Sequence, residues 1–117
     1  MRRLFLLATL LLPIMCNAGD IAFGTIKAIK VYGFGDFKHT AIIFNADATR
    51  VNDSCKIANL ASANIPLYSG TIVNPLASHF MSVALAAKAT GKKVRAYSSS
   101  SANPCDLDFL AMQEEYF

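Results

Sequence analysis

The 117-residue sequence contains no tryptophan, two histidines and three cysteines, and only 16% of its residues are charged. Each scarcity removes a class of function. His39 and His79 are the only imidazoles. Neither sits in an H-x-x-x-H pattern, and no G-x-S-x-G or P-loop pattern occurs anywhere, so no catalytic constellation is within local reach. Cys55 and Cys105 form no C-x-x-C pair and lie at no ligand spacing from a histidine, which argues against a metal centre. Asp47, Asn52 and Asp53 match no oxygen-ligand loop for calcium. No apolar run approaches the ~20 residues that a membrane-crossing helix needs. Lysine and arginine cluster only at Lys88, Lys92, Lys93 and Arg95, which reads as a solvated face and gives no basic track for nucleic acid. The missing tryptophan counts against a sugar site but leaves tyrosine and phenylalanine to serve one.

What is present begins with a leader-like segment. Arg2 and Arg3 precede a mostly apolar run at residues 4–15, and Cys16, Asn17 and Ala18 supply small residues where a signal peptidase cuts. Pro13 and the shortness of the run speak against a span. Met15 is a poor neighbour for a lipidated cysteine at Cys16. The reading is a signal peptide at residues 1–18 and one domain at 19–117, exported to the periplasm or secreted. Removing the leader lowers the formal charge from +3 to +1 and leaves Cys55 and Cys105 as the two thiols. In an oxidising compartment such a pair is expected to form a disulfide.

Residues 21–32 alternate as a strand whose phase slips once. Ile29 and Val31 keep period two and Ile26 does not, and Gly24 just before the slip marks a bulge or sharp bend. Residues 33–37 then read as a turn and 38–44 as a second strand, a hairpin with a glycine-containing tip. Residues 45–54 read as a loop. One irregular strand region is expected further on, with candidates at 56–60 and 67–73. A helix is predicted over 75–90, with Asn74 as N-cap and Pro75 in its first position. Leu76, Phe80, Val83, Ala84 and Ala87 share its apolar face, and Gly91 ends it. Strands at 92–98 and 107–113, with Leu107 and Phe109 inward, flank a flexible polar loop at 98–104. Glu114 and Glu115 are expected in a frayed terminus. The order strand, strand, strand, helix, strand, strand fits a mainly β domain with one helix, a small five-stranded OB-like barrel. An α+β sheet with one packed helix is the fallback.

Four features occur together: the early strand motif Gly24-Thr-Ile-Lys-Ala-Ile29, Cys55 near mid-chain, the alanine-rich helix joined to a strand in Ala84-Leu-Ala-Ala-Lys-Ala-Thr-Gly-Lys-Lys-Val-Arg95, and Cys105. In these the chain resembles small exported OB-fold-like proteins of Gram-negative bacteria. More distantly, its layout resembles the cell-binding subunits of subtilase-cytotoxin-type and pertussis-type toxins. That resemblance implies an OB-fold, ring-like homo-oligomers and host-glycan binding, and it carries over no sugar-contacting residue.

The expected function is therefore a non-enzymatic exported binding module for a glycan or protein ligand, with no cofactor and with self-association through exposed apolar patches. The alternative is a small periplasmic accessory or inhibitor protein acting on one protein partner. OB-folds bind through the loops joining strands one to two and four to five, here residues 33–37 and 98–104. Phe34 and Phe37 with Asp36 occupy the first tip, where polar residues are usual. The two phenylalanines are either exposed anchors or caps folded over the barrel. Tyr68 and Tyr97 are candidates for stacking on a sugar ring. The carboxylate pair Asp106 and Asp108 alternates with Leu107 and Phe109, as solvent-facing strand positions do.

Overall fold

The computed structural model describes residues 18–117. The leader assigned to residues 1–18 lies, Ala18 apart, outside the described residues. The chain is mainly β with one helix among those residues. Its strands are Gly19–Gly24 (β1), Ile26–Tyr32 (β2), His39–Phe44 (β3), Lys56–Ile57 (β4), Leu60–Pro66 (β5), Tyr68–Ser69 (β6), Ile72–Val73 (β7), Val94–Ser98 (β8) and Phe109–Met112 (β9), and helix α1 is Ala77–Thr90.

The strands form three antiparallel sheets, in the orders β1-β8-β9, β2-β3-β5-β4 and β6-β7, and none closes on itself. The expected bend falls at Thr25. It splits the first predicted strand so that β1 pairs with β8 and β2 with β3. Gly24 is required there by close approach: a Cβ at this position would lie 2.9 Å from both Cα and Cβ of Ala48. Two isolated bridges tie the sheets together. Phe23 pairs with Thr49, and Asn64 pairs in parallel with Asp106.

Pairing register decides which side chains go inward. Thr40, Ile42 and Phe44 on β3 stand opposite or beside Ile65, Ala63 and Ala61 on β5, and all six are buried. Val94, Ala96 and Ser98 on β8 are buried in alternation with Arg95 and Tyr97. Helix α1 closes this core with Ala84 and Ala87, while Phe80 and Val83 pack at its margin. Small side chains on the helix let it approach the sheets closely.

Several sequence expectations change. The helix starts at Ala77 rather than at residue 75, and Leu76, expected on the apolar face, is 49% exposed. Asn74 is not the N-cap. Its Oδ1 accepts from the Leu76 N–H at 3.1 Å and its Nδ2 donates to the Pro66 carbonyl at 2.7 Å, so it links β5 to the turn ahead of the helix. Gly91 does end the helix, with φ of 69° and its N–H on the Ala87 carbonyl. Phe109 faces outward, whereas Leu107 is buried. The predicted irregular region is two hairpins. Ala58 and Asn59, both at positive φ, turn β4 into β5, and Gly70, at φ 66°, begins the turn from β6 to β7. The loop at 98–104 is held by side chains: Ser98 Oγ donates to the Asn103 carbonyl and accepts from the Ser100 N–H, and Asp108 accepts from the Ser99 N–H. The C-terminal residues are docked, with Arg95 Nη1 donating to the Phe117 carbonyl at 2.9 Å.

The disulfide joins Cys55 to Cys105, with Cα atoms 5.4 Å apart and a sequence separation of 50. Closing a loop of that length removes about 4 kcal/mol of unfolded-state entropy in the chain-entropy description, a large share of the stability of a domain this size.

Candidate functional site

The disulfide and the parallel bridge bring the loop before β9 against β5. Asn64 N–H donates to the Cys105 carbonyl and Leu107 N–H to the Asn64 carbonyl, both at 2.8 Å. Asp106 is thereby set between two anchored neighbours, with Asn64 Nδ2 donating to its Oδ1 at 3.4 Å. Burial pushes the Asp106 carboxyl above its ordinary range, opposed by the Asn64 hydrogen bond and the charge of His39. The β6–β7 hairpin stands nearby, because Asn74 N–H bonds back to the Leu67 carbonyl at 2.8 Å and Leu67 N–H to the Lys38 carbonyl at 3.0 Å.

Between these elements lies a cleft of about 530 Å³ whose lining includes Phe37, Tyr68, Ile72, Asn74, Asn103 and Asp106. It combines two partly exposed aromatic rings with amide and carboxylate groups. A second, smaller hollow of about 240 Å³ is lined by His39, Lys56, Asn64 and the disulfide cysteines. Phe37 is common to both.

The tip residues form a stack. The His39 ring lies 4.2 Å from Phe37 and 4.8 Å from Tyr32, nearly parallel to each, and its Nδ1 is 3.1 Å from the Phe37 carbonyl. Phe34 leans on Tyr32 at 6.0 Å and remains 76% exposed. Both phenylalanines are exposed and neither is buried over the core, so the capping alternative does not hold.

The five candidate residues thus separate. Phe37 and Tyr68 share the large cleft. Phe34 and Asp36 stand on the exposed tip and line neither hollow. Tyr97 belongs elsewhere, in a small hollow with Arg95 and Phe109. Asn52 and Asp53 are engaged locally, Asn52 Oδ1 with the Ser54 N–H at 3.0 Å and Asp53 with Lys56 at 3.2 Å. His39 and Asp106 make no hydrogen bond to each other, and His79 is exposed on α1.

From the sequence Asn64 carries no signal, Asn74 reads only as a helix cap, Asn103 falls in the 98–104 binding loop without being singled out, and Asp106 reads as a solvent-facing strand position. A usable signal was present in the second cysteine. A residue next to a disulfide is held in place, and Asp106 stands beside Cys105. Asn64 carries no local signature, because its role depends on a long-range bridge, whereas the local signal of Asn74 points to the start of the helix and not to the cleft.

No family model, curated protein or solved structure matches this chain, so what the cleft does must follow from its own geometry.

Proposed function

We propose that the chain is a non-catalytic exported binding module of OB-like topology, and that the cleft between Phe37 and Tyr68 holds a glycan. The topological part rests on a circuit of pairings: β1 to β8, β8 to β9, the Asp106 bridge to β5, β5 to β3, and β3 to β2, which continues β1 across the bend. A five-stranded barrel with the helix across one end has this neighbour order.

One observation carries the ligand class. Two aromatic rings and the polar groups of Asn103 and Asp106 line the same open cleft. Aromatic faces cover the C–H faces of a sugar ring, and amides and carboxylates take its hydroxyls, so a mixed lining of this kind suits a polyhydroxylated ligand better than a purely apolar one. The Asp106 carboxylate spends one oxygen on Asn64, which leaves the other to accept from a ligand hydroxyl. His39 is held in an aromatic stack between Tyr32 and Phe37, with its Nδ1 on the Phe37 carbonyl. Self-association belongs to the same proposal, through apolar side chains left exposed such as Leu85 and Met112.

Binding to a glycan array, followed by titration of a retained oligosaccharide, tests the proposal. Phe37→Ala and Tyr68→Ala each weaken binding by about tenfold or more, as loss of an aromatic anchor does. An array without a retained glycan, or variants that bind as the unsubstituted chain does, overturns it.

A further inference from the structure

Phe34 stands at the apex of the β2–β3 hairpin with a glycine on either side. Every residue from Gly33 to Lys38 is exposed, and a methyl group built on Gly33 or Gly35 would meet nothing within 4 Å. The apex therefore projects clear of the rest of the molecule, and its apolar ring is more exposed than that of any other described aromatic residue except Phe117. Behind it, Tyr32, His39 and Phe37 stack as a ring-on-ring base that fixes the hairpin end. Val31 on β2, an edge strand among the described residues, is 63% exposed. Lys30 and Lys38 flank the apex, both exposed, and Asp36 is the only acid in the tip.

From this arrangement we infer that the hairpin tip docks on an anionic lipid bilayer, with Phe34 entering the headgroup region and Lys30 and Lys38 facing the lipid phosphates. The shape selects lipid over a protein partner. A projecting ring needs a matching socket on a protein, whereas the headgroup layer closes around any convex apex. The composition agrees: aromatic rings favour the membrane–water interface, and apolar burial combined with basic residues is what holds peripheral proteins to anionic membranes. The inference is independent of the glycan cleft, because Phe34 does not line it.

Co-sedimentation with vesicles tests it, using phosphatidylcholine alone and phosphatidylcholine mixed with phosphatidylglycerol. The protein is produced from the full-length sequence, and intact mass reports whether residues 1–18 are retained. The reading is the ratio between variants of the same processing state, so an attached apolar leader cancels. The expected result is partitioning onto the anionic vesicles in excess of the neutral ones, reduced by about fivefold for each of Lys30→Gln and Lys38→Gln. Phe34→Ala reduces it by about tenfold, with an unchanged melting temperature because the ring supports no core contact. Equal binding to neutral and anionic vesicles, or a Phe34→Ala variant that partitions as well as the unsubstituted chain, overturns the inference. So does a tip whose substitution abolishes capture of a protein while vesicle binding stays the same.

Discussion

Arg95 Nε donates a 2.7 Å hydrogen bond to Asp20 Oδ1 across 75 positions of sequence, and the two side chains are only 21% and 16% exposed. This pair joins β1 to the neighbouring strand β8 and gathers the C-terminus around itself. The Tyr116 hydroxyl donates to the other oxygen of Asp20. The guanidinium groups of Arg50 and Arg95 both lie over the Tyr116 ring, 4.1 and 4.8 Å from its centroid. The Asp20 hydrogen bond holds both Arg95 and the Tyr116 phenol above their ordinary pKa values. Both shifts keep these groups in their hydrogen-donating forms.

Asp20 is therefore the acceptor on which two donors depend, and its loss strands a largely buried cation. Asp20→Ala costs about 1.5–3 kcal/mol in urea denaturation, the range for hydrogen bonds to charged groups. Adding Arg95→Ala costs less than the sum of the single changes, since the second removes the unpaired charge left by the first. Amide exchange over residues 113–117 accelerates in Asp20→Ala. Full additivity, or an unchanged tail, contradicts this account.

Gly24 makes a separate prediction. Its backbone passes so close to Ala48 that even one methyl group must displace main-chain atoms. Gly24→Ala lowers stability by about 1–3 kcal/mol, as overpacking a rigid site does. Gly33→Ala, in open space at the hairpin tip, has little effect by comparison. Thermal unfolding of the two variants measures the difference, and equal melting temperatures would refute the close-approach reading.

These two sites mark what is legible in the sequence. Gly24 stands out because a glycine coincides with a slip in the period-two pattern, and the Cys55–Cys105 pair stands out because few thiols are available to choose among. The bend, the first hairpin, the body of α1 and β8 follow from such local signals. Strand β5 does not, because its Leu-Ala-Ser-Ala-Asn-Ile-Pro sequence has small polar residues where β-branched ones announce a strand. The turn before it uses Ala58 and Asn59 at positive φ in place of the usual glycine. The cleft inherits that difficulty. Phe37 is legible as an aromatic residue at a turn and Tyr68 as one in a candidate strand, but their meeting with Asp106 depends on a parallel bridge from β5 and on the disulfide.

Asp106 supplies the pH dependence. Burial raises its folded pKa above the ordinary value of 3.8. The folded state then holds the proton more tightly than the unfolded chain does. Stability from this group is accordingly full below the ordinary carboxyl value and falls as pH rises through the higher folded one. Asp106→Asn keeps an oxygen for Asn64 Nδ2 and removes the titration. Relative to the unsubstituted chain, the variant gains stability as pH is raised from below 3.8 to neutrality, so the difference in melting temperature grows with pH. The carboxylate that costs stability there is the same group assigned to a ligand hydroxyl, so Asp106→Asn weakens oligosaccharide binding at neutral pH while stabilising the fold. Melting curves across pH, paired with titration of the retained glycan, read both effects. A variant that is less stable than the unsubstituted chain at neutral pH identifies Asp106 as a structural ion instead of a strained ligand-facing one.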